Sequence, residues 1–320
     1  MTAGGIPRGT PKISLSMRIA ITGASGLLGT ALAERFRSAG HEVVPLSRNP
    51  RITAEGGILW DPAGGVLDAE RLEGCEAVIN LAGARIAPAR WTPAYKALIY
   101  SSRVEATRFL CEALARLDRK PRVLLSASAV GYYGNRDPRQ VLDEESPPGE
   151  GFLARVCVAW EAATEPARAS GIRTVLMRTG TVLTLRGGFL PPLVRLFRLG
   201  LGGQMGNGRQ VLSWIALQDY VRAVEFLLDH PDLAGPVNLT APHPVTNAEF
   251  TSTLARVLRR PAPFRAPAPA LRLAFGREMV EEVLLGGQRV VPRRLLEVGF
   301  RFDLPELEGA LRAVLAERSH

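Results

Sequence analysis

The first apolar run of the chain, Arg18–Thr22 (RIAIT), is short, β-branched and stops at Gly23. Such a run fits a strand buried on both faces. From Leu27 to Ala39 apolar residues recur at helical spacing, and Gly40 closes the segment as a C-cap. Further strands are predicted at Glu42–Ser47, weakened by Pro45, at Ile58–Trp60, Ala77–Leu81, Arg122–Ser126 and Ile172–Arg178. One long helix is predicted from Pro93 to Leu117, with proline in its first turn, and another from Phe152 to Ala169. Strand and helix thus alternate from residue 17 to about 180, which implies right-handed βαβ units and a parallel sheet covered on both faces.

Beyond that point the pattern loosens. Leu199–Gly208 holds five glycines and reads as a loop. Helices are predicted at Leu217–Asp229, from the capping box of Thr246 and Glu249 to Leu258, at Arg272–Leu285 and at Pro305–Glu317. Pro261–Pro269 has four prolines and reads as a connector. The expected organisation is an α/β domain over residues 17–185, to which part of 209–245 returns, and a smaller, mostly helical lobe over 186–320. Residues 1–16 hold Gly4, Gly5, Pro7, Gly9 and Pro11 and no apolar stretch. They read as a flexible extension rather than a signal or transit peptide, with Met17 a candidate start.

Composition narrows the function classes. With 46% hydrophobic and 22% charged residues, a core of ordinary size can be buried. No stretch approaches the roughly 18 apolar residues of a membrane span. The net charge of +9 raises nucleic acid as a partner, but 37 of the 40 basic residues are arginines spread along the chain. No basic run or nucleic-acid module accompanies them, so neither nucleic acid nor a membrane is expected. Cys75, Cys111 and Cys157 are odd in number and widely spaced, and His41, His230, His243 and His320 do not cluster. No metal site is read from them, and a reducing cytoplasm is expected.

The segment Thr22-Gly23-Ala24-Ser25-Gly26-Leu27-Leu28-Gly29 contains G-x-x-G-x-x-G between a predicted strand and a predicted helix. Gly23 permits the tight turn, Gly26 lets backbone approach a diphosphate, and Gly29 lets helix and sheet pack closely. The free amides of Ser25, Gly26, Leu27 and Leu28 then face the phosphates. This is the signature of a Rossmann doubly wound fold; without its location it would be only a glycine-rich turn. After the second strand stands Ser47-Arg48, with no acid for a ribose 2′-hydroxyl. Arg48 favours a 2′-phosphate, hence NADP(H) over NAD. Further along, Gly200–Trp214 reads as a substrate wall: Arg209 and Gln210 offer donors and Trp214 a stacking face. The alternative there is a glycine loop with a packed tryptophan.

These stretches resemble the atypical extended short-chain dehydrogenase/reductases grouped as "epimerase family proteins", or nucleoside-diphosphate-sugar epimerases. The matching segments are ITGASGLLG (21–29), VINLAG (78–83), SASAVGYYG (126–134), CVAWE (157–161), RTGTVL (178–183), GLGGQMGNGRQVLSWI (200–215) and GGQRVVPRRLLEVGF (286–300). The resemblance implies that Leu81, Ala82 and Gly83 lie along the adenine ribose. It implies that Ser126 flanks the cofactor, that Ser128 bonds the reacting oxygen, and that Arg178 and Gly180 face the nicotinamide. It also implies a small C-terminal domain over about 247–320 within the 186–320 lobe, a nucleotide-holding role for the 200–215 region and a small-molecule substrate, and it leaves a homodimer open.

One departure matters. Tyr-x-x-x-Lys, which places a phenol and a pKa-lowering ammonium on one helix face, occurs nowhere, although there are five tyrosines. In the expected helix Val156, or Leu153 and Cys157, stand at those positions. A positioned acid/base contributes roughly 3 to 5.5 kcal/mol of barrier lowering. Tyr132 or Tyr133 could supply a phenol or pack a loop. Cys157 reads better as a core thiol than as a nucleophile, and Glu161 as a base or as a helix-surface residue. Two readings follow: an NADP-dependent oxidoreductase or epimerase acting on a small hydroxyl or keto compound, sugar nucleotides included, or an NADP(H)-sensing or scaffolding protein with little catalysis.

Overall fold

The computed structural model describes residues 16–86 and 90–317. Residues 1–15 of the extension expected at 1–16, and His320, lie outside the described residues. An eight-stranded sheet forms the core: β1 (Arg18–Thr22), β2 (Glu42–Ser47), β3 (Ile58–Asp61), β4 (Val66–Leu67), β5 (Ala77–Asn80), β6 (Val123–Ala129), β7 (Arg173–Thr179) and β8 (Gly235–Leu239). Their spatial order is β8-β7-β6-β5-β1-β2-β3-β4, parallel throughout except for the β3–β4 edge. The chain runs outward from β1 to β2 and β3, then returns to β5 on the other side. That reversal opens a crevice beyond the carboxyl ends of β1 and β5, where ligands of such sheets bind.

The eight longer helices are α1 (Leu27–Ser38), α2 (Pro93–Ser101), α3 (Val104–Arg116), α4 (Phe152–Ala162), α5 (Leu190–Arg198), α6 (Leu217–Asp229), α7 (Asn247–Leu258) and α8 (Leu307–Ala316). α1 and α6 cover one face of the sheet through Leu32, Phe36, Tyr220 and Leu227. α3 covers the other through Leu110, Cys111 and Leu114. A separate core of Leu190, Phe197, Trp214, Phe250 and Leu311 holds the C-terminal lobe. The predicted alternation is present, and β1, β5 and β7 are apolar and buried along their centres because helices cover both faces, whereas β6 carries buried Ser126 at its centre and the edge strand β4 is partly exposed.

Several segments differ from the sequence reading, each for a local reason. The helix expected from Pro93 to Leu117 breaks at Ser102–Arg103. There Ser102 Oγ accepts from the Ala84 amide (3.0 Å), and the Arg103 guanidinium turns inward to the Ala84 and Ile99 carbonyls. The Phe152–Ala169 helix is interrupted after Ala162, because Pro166 has no N–H to continue the ladder and Thr164 Oγ1 bonds back to the Glu161 carbonyl. The Arg272–Leu285 region divides into a helix at Ala268–Phe275, a stop at Gly276 (φ 87°), one turn at Arg277–Met279 and a wider π turn at Val280–Leu284. Within the glycine-rich loop, Gly203–Met205 forms a short strand paired with Phe264–Ala266. β4 and β8 had no clear sequence signal. Among the described residues, no helix is long and apolar enough to cross a membrane.

Candidate functional site

Strand register brings the predicted residues to one edge. Thr22 pairs with Leu46 and Asn80, Asn80 with Ser126, Ser128 with Arg178, and Arg178 with Asn238. The segments following these pairs therefore line the carboxyl edge of the sheet, beside the crevice.

The first βα turn is built by backbone. Gly23 has φ 67°, and a side chain there would press on the Leu81 and Ala82 backbone at 3.1 Å. A Cβ at Gly29 would lie 2.2 Å from the Gly23 carbonyl oxygen. These two glycines are required by the turn itself, and they bring α1 hard against β1. α1 begins at Gly26, where no side chain caps it. Ser25 and Gly26 are exposed, so the first-turn amides and the positive end of the helix face the crevice. Arg48 is exposed two residues past the Leu46 register pair. Thr22 has a different role from the one expected. Its Oγ1 is buried, donates to Asn80 Oδ1 (2.8 Å) and accepts from the Leu81 and Ala82 amides. It welds β1 to the β5 turn instead of facing a ligand. Ser126 is likewise fully buried, accepting from Asn80 Nδ2 (3.3 Å) in a network with Thr107 and Trp160. The missing side chain of Gly180 leaves room for Ser213 and Thr240.

The second half of the edge is built by side chains. Ser128 Oγ donates to Glu161 Oε1 at 2.6 Å. Arg178 grips the same carboxylate with two bonds, Nε to Oε1 and Nη2 to Oε2, both 2.8 Å. The pair is almost wholly buried, at 4% and 9% side-chain exposure. Arg178 also donates to the Tyr133 hydroxyl (3.1 Å) and stacks 3.5 Å over the Tyr132 ring. Tyr133 in turn donates to Asn238 Oδ1 (2.8 Å). Burial lowers the pKa of Arg178, but the Glu161 carboxylate outweighs that effect and holds it above the ordinary arginine range. Burial pushes Tyr133 up to about 12.

This arrangement corrects four expectations. Arg178 is committed to Glu161 and the two tyrosines, so it does not project into the crevice. Tyr133 is a buried, doubly bonded phenol with a raised pKa, unsuited to proton exchange near neutrality. Trp214 is 0% exposed, with Nε1 bonded to the His243 carbonyl, and offers no stacking face. Gln210 Nε2 donates to the Met205 and Leu284 carbonyls, tying the lobe together. Arg209 remains exposed and Tyr132 half-buried. Cys157 is a core thiol pushed up to about 12 by burial, with the Glu161 charge adding to the effect. At neutral pH it carries no thiolate.

Sequence reasoning missed three residues of this region. Glu144 is buried, accepts the Asn238 amide (2.9 Å), and is pushed up by burial. Asn238 sits on β8, the strand without a sequence signal. Glu282, from the C-terminal lobe, caps α4 by accepting the Phe152 (2.7 Å) and Leu153 (2.8 Å) amides. The available clue was that Gly151-Phe152 starts a helix with no local cap. No group of three or more metal-ligating side chains occurs among the described residues. A groove of about 1020 Å³ between α1 and α6 is lined by none of the candidate residues. It lies on a helical face of the sheet rather than at the crevice.

Comparison with known proteins gives a consistent result. Residues 19–239 match the sequence profile of the NAD dependent epimerase/dehydratase family, and residues 266–314 that of a domain of unknown function, DUF1731. The epimerase family protein Mb2239 of Mycobacterium bovis is 48% identical over 284 residues, covering 89% of this chain and 93% of its own. The human epimerase family protein SDR39U1 is 36% identical over 305 residues, covering 94% and 100%. A crystal structure of human SDR39U1, isoform 2, with NADPH superimposes with a TM-score of 0.85 at 34% identity, covering 94% of this chain and all of that one. The UDP-glucose 4-epimerase of Thermotoga maritima, at 16% identity and a TM-score of 0.74, shares the fold.

Proposed function

The chain belongs to the NAD dependent epimerase/dehydratase family, and from that premise we propose that it is an NADP(H)-dependent oxidoreductase or epimerase of a small hydroxyl or keto compound. The observation that carries the reading is the turn at Gly23–Gly29: Gly23 and Gly29 are sterically obligatory, and the uncapped, exposed first turn of α1 lies at the crevice, with Arg48 exposed past the neighbouring strand. Those features fit a dinucleotide diphosphate and a 2′-phosphate. The NADPH in the crystal of human SDR39U1 supports the same choice. Ser25, Leu27 and Leu28 would hold the diphosphate, with Gly23 and Gly26 giving it room, since the Gly26 amide expected to be free is taken by the Gly23 carbonyl (2.9 Å); Arg48 would hold the 2′-phosphate, and Leu81–Gly83 the adenosine side. When bound, the nicotinamide supplies a hydride acceptor or donor.

Proton handling then falls to Ser128. Its hydroxyl is bound to Glu161 by a short, charge-assisted bond. Ser128 would take a proton from a substrate hydroxyl only by passing its own to Glu161, and the Arg178 fork fixes the carboxylate for that role. Tyr132 is the half-buried group beside it.

A second reading, an NADP(H)-responsive protein with little turnover, draws on one specific observation. α4 presents Leu153 and Cys157 where a phenol and an ammonium would be needed, and the nearby Tyr133 phenol is locked in the interior. One experiment separates the two. Net NADPH oxidation and, by product chromatography, epimer formation without net cofactor use are measured with a panel of sugar nucleotides and small carbonyl compounds, for the wild type and for Ser128→Ala. The enzyme reading expects turnover that Ser128→Ala reduces at least about a hundredfold with NADPH affinity preserved. Turnover by no compound, or turnover indifferent to Ser128, would favour the responsive protein.

A further inference from the structure

A second surface, remote from the crevice, carries large apolar side chains in water. After α5 the chain folds back, with the Leu201 amide bonded to the Leu196 carbonyl, and the Phe264 amide bonds to the Gly202 carbonyl. Residues 203–205 then pair with 264–266. These contacts gather Leu196, Leu199, Leu201 and Phe264 at one corner of the C-terminal lobe, with exposures of 45%, 67%, 55% and 52%. Arg198 and Arg260 line a groove of about 550 Å³ at the same corner, together with Val257 and Leu258. Arg265, exposed, follows Phe264. Arg198, Arg260 and Arg265 have no ion-pair partner among the described residues. The one carboxylate within α8, Glu308, is already held by Arg256 and Arg312. The sequence supplies no Asp or Glu from 166 to 218 or from 250 to 277.

We infer that this corner docks the protein on an anionic lipid surface, with the leucines and Phe264 entering the acyl boundary and the arginines meeting the headgroup phosphates. Clustered apolar side chains are seldom left in water without a partner. Arginine is always charged, weakly hydrated and suited to phosphate. A polynucleotide would use the arginines but leave the leucines in water, whereas a bilayer interface accommodates both. The inference departs from the expectation of no membrane partner, which rested on the lack of a spanning segment; a peripheral contact needs none.

The test is cosedimentation of the full chain with vesicles. One set is phosphatidylcholine alone, and the other is phosphatidylcholine mixed equally with phosphatidylglycerol. Three arginines over anionic headgroups should raise binding to the mixed vesicles by roughly a hundredfold, with loss at high salt. Leu199→Asp with Leu201→Asp should abolish that binding, and so, separately, should Arg198→Glu with Arg260→Glu. All four positions are exposed, so unchanged thermal midpoints will show that the variants fold. The proposal is overturned if the wild type ignores the mixed vesicles or if both double variants still bind them. Tighter binding to duplex DNA than to the vesicles at equal salt would also overturn it.

Discussion

The two halves of the sheet's carboxyl edge are built in opposite ways. Around Gly23–Gly29 the working groups are backbone amides, and side chains are excluded: a single carbon added at Gly29 would collide with the Gly23 carbonyl. Around Ser128 the working groups are side chains, and they satisfy one another, with Glu161 held by Ser128 and Arg178, and Arg178 by Glu161 and Tyr133. The first half presents unsatisfied donors to the crevice and so can accept an anion. The second has almost no polar capacity left over, so a substrate must displace an existing partner to gain one. A buried guanidinium and carboxylate are costly to remove from water, and two short parallel bonds plus the Tyr133 and Ser128 contacts offset that cost. The lesson is that one edge can be open by omission and closed by mutual satisfaction within a few strands.

The most severe break in this comparison is Arg178→Met. It leaves the Glu161 carboxylate buried without its cation and should destabilise the fold by about 3–5 kcal/mol in urea denaturation. Adding Glu161→Leu should recover much of the loss, because the remaining charge is gone. If the single variant is as stable as the wild type, the side-chain half is not mutually dependent.

Gly29→Ala probes the backbone half. The turn must open to admit the methyl group, with an expected cost of about 1–3 kcal/mol and loss of most NADPH affinity by calorimetry. An unaltered affinity would mean that the turn does not cradle the nucleotide.

Tyr133→Phe is milder, at about 1 kcal/mol near neutrality, since it removes one hydroxyl from the Arg178–Asn238 contacts. Its pH dependence follows from the phenol's folded pKa near 12, which stands above the ordinary value of 10. The stability from the neutral phenol is complete below pH 10 and fades as pH rises toward 12. The gap between wild type and variant should therefore narrow over that interval in thermal denaturation. A constant gap would place the phenol in a more solvated setting than the structure does.

The smallest effect expected is Arg48→Asp. The residue is exposed, so stability should hold, while NADPH affinity falls about tenfold relative to NADH. Equal loss for both cofactors would remove Arg48 from the selection.

Much of the backbone half was legible in the sequence. A β-branched run, three glycines at fixed spacing and a helical repeat lie within 22 residues of one another, from Arg18 to Ala39. Local sterics and periodicity suffice to read them, and the structure follows with Gly23 at positive φ and Gly29 against the turn. The alternation as far as β7, apart from the two-residue edge strand β4, was legible for the same reason. Helix ends were less so. Ser102–Arg103 stops a helix because Arg103 finds the Ala84 carbonyl, a contact 19 residues away.

What only the tertiary structure decided is which polar side chains face inward. Ser128, Glu161 and Arg178 are 33 and 17 residues apart, on two strands and a helix. Nothing in their local sequence tells a buried pair from a solvated one, and Arg178 and Trp214 were accordingly expected at ligands. Glu144, Asn238 and Glu282 were invisible because their partners lie 94 to 130 residues away. Sequence fixes what depends on neighbours along the chain, such as strand, turn and helix period. The pairing of charges depends on which surfaces meet after folding, and burial then makes those pairings obligatory, since an unpaired charge in the interior is too costly to keep.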